Sequence, residues 1–292
     1  MLSALLAAVF LLPSAGWARQ VVDQAGRAVE VPDRPARVVA LAPNITEMVF
    51  ELERGDRLVG ATQYSNHPEA AARLPRVGSY VRLDLERIMA LEPDLCIAIR
   101  DGNPAQAVER LTSMGVPVYV VDPRSLDEIM ATMLEIGLLL DAEARAGLLV
   151  AEMRRRIDRV GQRLAAVKSR PAVFFQLDFN PIISAGPGTF IDELIVLAGG
   201  RNLAAANRAV YPRFTWEEIL VLAPEVVVIT RMAGGLGPEE LVRRWQQWPR
   251  VPAVARDRVR VVEADLFDRA TSRLVAGLEE LAAIIHPEVF DQ

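Results

Sequence analysis

The sequence has one cysteine, two histidines and four tyrosines, and these scarcities limit what the protein can be. Cys96 has no partner for an internal disulfide, and its apolar neighbours predict a buried side chain. The only histidines, His67 and His286, lie far apart in the chain. Zinc or manganese receptors need clustered imidazole and carboxylate ligands. We therefore expect no metal site and no resident cofactor.

Long basic segments and long apolar segments are also missing. The formal net charge is -5 and arginines are scattered, so nucleic acid is not an expected partner. Beyond the N-terminus no apolar run approaches the ~20 residues of a membrane-spanning helix.

The N-terminus carries an export pattern. Residues 1–18 combine an apolar stretch with small residues up to Ala18, which predicts a signal peptide although no basic residue precedes the stretch. A buried N-terminal helix is the alternative. No cysteine follows, so lipid anchoring is not expected. We expect a soluble periplasmic protein that is monomeric.

The length and the apolar pattern predict two lobes. A chain of 292 residues, 51% of them hydrophobic, has room for two separate cores. Short apolar runs separated by helical patterns are typical of parallel α/β sheets. Strands are predicted at residues 37–42, 116–121, 173–177, 226–230 and 259–262.

An internal repeat relates the two halves. Residues 84–95 (DLERIMALEPDL) match residues 215–226 (TWEEILVLAPEV) at an offset of 131. In both copies a capping residue, Asp84 or Thr215, opens a short helix with one apolar face. The same offset pairs Tyr80 with Tyr211. Each half is therefore predicted to be a version of one lobe.

A proline-free segment separates the halves. It is rich in Leu, Ala, Glu and Arg, and Asp141 is a plausible cap for a helix that runs to about Lys168. Such a helix exceeds what a crossover within one lobe needs, so it is predicted to connect the lobes. The expected division is 19–140 for the first lobe, 141–168 for the helix and 169–292 for the second lobe.

These motifs resemble one family, the substrate-binding proteins of ABC importers whose lobes are joined by one long helix. The similarity covers nearly the whole mature chain and leans toward the vitamin B12 (cobalamin) binding branch. It rests on residues 37–47 (RVVALAPNITE), 64–68 (YSNHP), 77–80 (VGSY), 190–194 (FIDEL), 198–202 (AGGRN) and 265–270 (DLFDRA). The implied fold is class III: two Rossmann-like α/β lobes with parallel sheets and a ligand cleft between them.

The resemblance implies a set of ligand-binding residues. Tyrosines would form aromatic walls against a corrin ring, and polar groups of the second lobe would face the cleft. Well-known members are expected to have tryptophan at two of the tyrosine positions, which leaves the exact ligand open. The implied residues are Tyr64, Tyr80, Tyr211, Phe179, Asp265, Phe267 and Arg269.

Glu86 and Glu217 occupy equivalent positions in the first turns of the repeated helices. Stabilisation of the helix dipole, worth roughly 0.3–1 kcal/mol, explains such residues without any further role. The resemblance implies that they dock the protein onto arginines of a dimeric ABC permease, which works with its ATPase subunits.

Two alternative functions stay open at the level of sequence. A ferric siderophore or haem receptor of the same class is one, and Tyr64 supports haem because tyrosine can be an axial ligand. An enzyme with two Rossmann-like halves is the more remote one, since the chain has no recognisable nucleophile and base pair or nucleotide motif. The resemblance favours binding without catalysis.

Overall fold

Each half of the chain forms its own main sheet, and two short hairpins, within residues 18–32 and 78–83, pair apart from them. The computed structural model describes residues 18–230 and 235–290. The predicted signal peptide lies outside the described residues apart from Ala18. The strands are β1 Ala18–Val22, β2 Ala28–Pro32, β3 Val38–Ala40, β4 Leu58–Ala61, β5 Gly78–Ser79, β6 Arg82–Leu83, β7 Leu95–Ile99, β8 Val118–Val121, β9 Ala172–Phe179, β10 Ile182–Ser184, β11 Arg201–Asn202, β12 Arg213–Phe214, β13 Val226–Thr230 and β14 Val259–Val262.

Helices alternate with these strands along the chain. They are α1 Pro43–Glu51, α2 Leu85–Ala90, α3 Ala105–Ser113, α4 Leu126–Leu139, α5 Glu143–Leu164, α6 Phe190–Leu197, α7 Trp216–Leu222, α8 Pro238–Gln246, α9 Pro252–Ala255, α10 Leu274–Ile285 and α11 Pro287–Phe290. None of the helices within the described ranges combines the length and apolar character needed to cross a bilayer.

The first lobe contains a four-stranded parallel sheet. Its strand order is β4-β3-β7-β8. All of β3 and β8 is buried because helices cover both faces, which explains why these strands are apolar without alternation. Strands β1 and β2 form a separate antiparallel hairpin.

The second lobe has a mixed sheet of order β12-β10-β9-β13-β14, and β11 also pairs with β9. Strands β9, β13 and β14 are parallel, as the apolar runs predict, and the short β11, which no apolar run predicts, is parallel to β9. Strands β10 and β12 add an antiparallel edge. The sequence pattern does not predict them because each has only two or three residues.

The repeated helices α2 and α7 are built alike. The Asp84 side chain accepts a hydrogen bond from the backbone N–H of Arg87. The Thr215 side chain accepts one from the N–H of Glu218, and the Glu218 carboxylate in turn accepts one from the N–H of Thr215. Both predicted caps are confirmed, and the residue that each helix buries is an isoleucine at the same repeat position.

Helix α5 lies between the lobes and contacts both. It packs on α4 of the first half and on α10 of the second. Arg156 of α5 donates two hydrogen bonds to Glu279 of α10, at 3.0 and 2.6 Å. The predicted cap Asp141 is wrong: Ala142 is the N-cap, and Asp141 has a positive φ and pairs with Arg57 at 3.3 Å. The exact limits of the lobes stay a prediction.

One buried cluster continues from the first lobe into the second. It joins α1, α4 and α5 to β9, α6 and α10, and smaller clusters fill the outer face of each sheet. The hydrophobic core beneath the gap between the lobes is therefore continuous from one lobe to the other. Burial on this scale favours one relative orientation of the two sheets.

Candidate ligand-binding cleft

The loops at the carboxyl ends of the strands carry polar and aromatic side chains in both lobes. Tyr64 follows β4, Asp101 follows β7, Arg124 follows β8, and Asp268 follows β14. In open α/β sheets, ligands bind at this edge. The two sheets therefore direct their binding loops toward the gap between the lobes.

Two tyrosines of the first lobe lie next to each other. The ring centroids of Tyr64 and Tyr80 are 6.4 Å apart and the ring planes meet at 68°. Both side chains are exposed, at 53% and 37%. An exposed aromatic pair of this kind offers a large apolar contact surface.

The position of Tyr80 is maintained by the loop after β7. The Asn103 amide donates hydrogen bonds to the carbonyl oxygens of Tyr80, at 2.7 Å, and Leu41, at 2.8 Å. Gly102 has a φ of +139°, and a Cβ there would lie 2.8 Å from the Tyr80 ring. A glycine is therefore required beneath this ring.

The Tyr211 segment of the second lobe is held by its backbone. The N–H of Gly186 donates to the carbonyl of Val210 at 2.8 Å, and the N–H of Ser184 donates to that of Pro212 at 3.0 Å. A Cβ at Gly186 would lie 2.2 Å from the carbonyl oxygen of Ala209. The close approach fixes the backbone while the Tyr211 side chain stays 46% exposed.

Tyr211 faces groups of the first lobe across the gap. Partial burial raises the pKa of its hydroxyl, and the charges of Asp101 and Asp268 raise this pKa further, with smaller effects of Arg124 and Tyr80. Three of these four neighbours belong to the first lobe. The repeat-related tyrosines 80 and 211 therefore lie near each other at the gap between the lobes. That both line a ligand cleft stays a prediction.

Asp268 is the most strongly perturbed acid of the cleft. Its side chain is exposed at the surface, yet neighbouring protein replaces much of the bulk solvent around its carboxylate. This desolvation, together with the charge of Asp265, raises the pKa of Asp268 to about 7 despite the opposing effect of Arg269. The group is therefore partly protonated at neutral pH.

Arg269 is occupied by protein partners. Its guanidinium bonds to Glu47 of the first lobe, pairs with Asp265 at 2.9 Å and donates to the carbonyl of Tyr64 at 3.4 Å. The side chain is only 12% exposed. The structure thus gives Arg269 a bridging position between the lobes, while Asp265 stays partly accessible at 36%.

Two predicted ligand contacts are wrong because both rings are buried. Phe267 is 0% exposed and packs against Phe175, at 5.4 Å between ring centroids. Phe179 is 7% exposed and lies between Trp216, at 6.0 Å, and the guanidinium of Arg244, at 5.0 Å from the ring centroid. Neither ring presents a face to the cleft.

Glu86 and Glu217 are exposed in the first turns of α2 and α7, as predicted. Over the described residues, neither takes part in an ion pair. Beside Glu86, a depression of about 840 Å³ is lined by charged, polar and small residues and by the apolar side chains of Leu83, Leu85 and Met114, without any aromatic ring. Gln63 and Ser79 also line it, so the depression extends from Glu86 to the residues that precede Tyr64 and Tyr80.

Sequence reasoning missed five cleft residues, namely Asp101, Gly102, Asn103, Arg124 and Asp268. Asp-Gly-Asn directly after β7 is a turn signal at a strand end, where ligand-binding loops of parallel sheets lie. Asp268 belongs to the motif at residues 265–270, between Phe267 and Arg269. Nothing in the local sequence around Arg124 distinguishes it from other surface arginines.

Known proteins are similar to this chain in sequence and fold. The vitamin B12-binding protein of Yersinia pestis (strain Pestoides F) is 28% identical over 246 residues, which is 84% of either chain. The periplasmic vitamin B12 binding protein of Vibrio cholerae has a TM-score of 0.76 and 29% identity, covering 88% of this chain and 98% of that one. A periplasmic heme binding protein from Pseudomonas aeruginosa has a TM-score of 0.77 and 27% identity, covering 87% and 94%.

The fold and the cleft define a two-lobed binding protein with class III architecture. The model of the periplasmic binding protein family matches residues 38–266, so the chain belongs to that family. A small-molecule ligand, an ABC transporter as partner and a periplasmic location follow from this membership.

Replacing Phe267 tests whether the ring is structural. We expect Phe267→Ala to lower the free energy of unfolding by about 3–5 kcal/mol, because it leaves a cavity against Phe175. Denaturant unfolding measures this loss. A wall residue would behave in the opposite way, with unchanged stability and weakened ligand binding.

Replacing Asp268 tests its ionisation. The ionised carboxylate is disfavoured in the fold, so Asp268→Asn should stabilise the protein most above pH 7. The advantage should shrink as the pH falls toward about 4, where the group is neutral in both the folded and the unfolded chain. Melting temperatures from pH 4 to 8 measure this, and a pH-independent difference would contradict the assignment.

Proposed function

We propose that this protein captures cobalamin or a related corrinoid between its lobes and delivers it to a dimeric ABC permease. The observation that carries the proposal is the set of three exposed tyrosines, two on the first lobe and one on the second, at the rim of one cleft. The similarity to vitamin B12-binding proteins, in sequence and in structure, supports the ligand class.

The chemistry of the cleft suits a corrinoid. A corrin is a broad, largely apolar ring with amide groups at its rim, so aromatic faces and nearby polar side chains complement it. Tyr64, Tyr80 and Tyr211 supply the faces. Asp101 and Asp268 supply polar groups at the edge, and a protonated Asp268 can donate a hydrogen bond to an amide carbonyl.

Titration of the purified protein with cyanocobalamin tests the ligand. We expect a Kd below about 1 μM, and Tyr211→Ala should weaken binding about tenfold because one aromatic contact is lost. The control is Leu148→Ala on α5, which also removes an exposed apolar side chain but lies away from the tyrosines. Absence of cobalamin binding, with tight binding of a ferric hydroxamate instead, overturns the ligand and keeps the class.

Haem is a second candidate, favoured by the exposed Tyr64 hydroxyl and by similarity to a heme binding protein. Tyrosine oxygen can coordinate haem iron. The variant Tyr64→Phe separates the two ligands, because it keeps the aromatic face and removes the oxygen. If cobalamin is the ligand, the variant binds it normally. If haem is the ligand, the variant loses the absorption bands of coordinated haem.

We propose that Glu86 and Glu217 dock the loaded, monomeric protein onto arginines of the two permease subunits. Equivalent positions on the two repeat-related helices place one carboxylate on each lobe. Two such charges suit a partner with two matching subunits. Both carboxylates are exposed and therefore available to an external partner.

Combined replacement of Glu86 and Glu217 by alanine tests the docking. We expect transport and permease binding to fall at least about tenfold while ligand affinity is unchanged, because two charge pairs are lost outside the cleft. Glu239→Ala is the matched control: Glu239 is also exposed in a first helical turn, in α8. If the control and the double variant have equal effects, Glu86 and Glu217 only stabilise their helices and do not dock the protein.

A further inference from the structure

Glu47 places a fully buried carboxylate at the junction of the two lobes. It lies in α1 of the first lobe and is 0% exposed. One carboxylate oxygen bonds to the Nη1 atom of Arg269, and the other pairs with the Nη1 atom of Arg273 at 3.5 Å. Both arginines belong to the second lobe. The two arginines that pair with Glu47 are therefore more than 220 residues away in the sequence.

The burial of this carboxylate ties its energy to the relative orientation of the two lobes. A buried charge is strongly disfavoured unless it is paired and hydrogen-bonded. Glu47 has its arginines only while the two lobes keep this arrangement. One helical turn later, the Glu51 carboxylate accepts a hydrogen bond from the Ser272 hydroxyl at 2.6 Å and reinforces the same junction.

The junction is also connected to the aromatic wall. Arg269, held by Glu47, donates to the carbonyl oxygen of Tyr64. Thr46, next to Glu47, donates its hydroxyl to Ser65 at 2.9 Å. Consecutive residues of α1 therefore control the tyrosine loop, one directly through Ser65 and the other through an arginine of the opposite lobe.

We propose that Glu47 is a positioning residue of the cleft, which fixes the angle between the lobes and the place of Tyr64 without touching the ligand. The proposal rests on the function proposed above only in that the cleft is where the ligand binds. It gives Arg269 a role as the second half of this junction. The spacing between the tyrosines of the two lobes is then set before the ligand arrives.

The first readout needs no ligand. Spin labels at Gln106→Cys on α3 and Gln247→Cys after α8 report the distance between the lobes by pulsed electron resonance, since both positions are exposed. The native cysteine should not react, because burial raises the pKa of the Cys96 thiol to about 12. We expect one narrow distance distribution for the parent protein and a broader one for Glu47→Gln.

The second readout is the affinity for cyanocobalamin. Glu47→Gln should weaken binding about tenfold, mainly through slower association, because fewer molecules have the cleft preset. Glu47→Asp keeps the charge and should recover part of both effects. Arg256→Met is the matched control, since it removes an ion pair with Glu225 inside the second lobe, at the amino end of β13 and away from the cleft; it should change neither the distances nor the affinity.

The outcomes separate this proposal from the ligand assignment. If the parent protein binds no cobalamin, the distance measurement still decides the role of Glu47. A narrow, unchanged distribution in Glu47→Gln overturns the proposal, as does an affinity loss without any change in distance. If Glu47→Gln does not fold, Arg273→Met, which removes only the longer pair, should show the same effects to a smaller degree.

Discussion

The ion pairs between Glu47 and the two arginines of the opposite lobe are the contacts on which the geometry of the cleft depends. Each sheet alone forms only half of a binding surface, because ligand-facing loops collect at the carboxyl ends of its strands. Helix α5 and the continuous core join the two halves. The Glu47 junction then relates the loop with Tyr64 to the segment that carries Asp268.

The aromatic residues fall into two groups with different roles, exposed tyrosines at the cleft and buried phenylalanines in the core. The tyrosines project from loops whose backbone is fixed by Asn103 and by the close approach at Gly186, so their rings stay exposed without being disordered. The phenylalanines of β9 and of the segment after β14 face inward and support the sheet. A ligand therefore contacts tyrosine rings, each with a polar hydroxyl at its edge. The phenylalanine rings lie in the apolar core beneath them.

Much of the architecture was predictable because it depends on local signals. The repeat predicted the caps at Asp84 and Thr215, since capping chemistry and helix periodicity act over a few residues. The burial of Phe267 was not predictable, because it depends on Phe175 and the helix that covers both. The partner of Arg269 lies 222 residues away, and no local pattern indicates it.

A crystal structure of the complex with cyanocobalamin tests whether a corrinoid lies between the tyrosines of the two lobes. We expect the corrin faces to contact Tyr64 and Tyr80 on one side and Tyr211 on the other, with Glu47 still bonded to Arg269. A corrin bound elsewhere, for instance in the depression beside Glu86, would contradict this binding mode. So would a bound ring that displaces Glu47 and makes Arg269 its own contact.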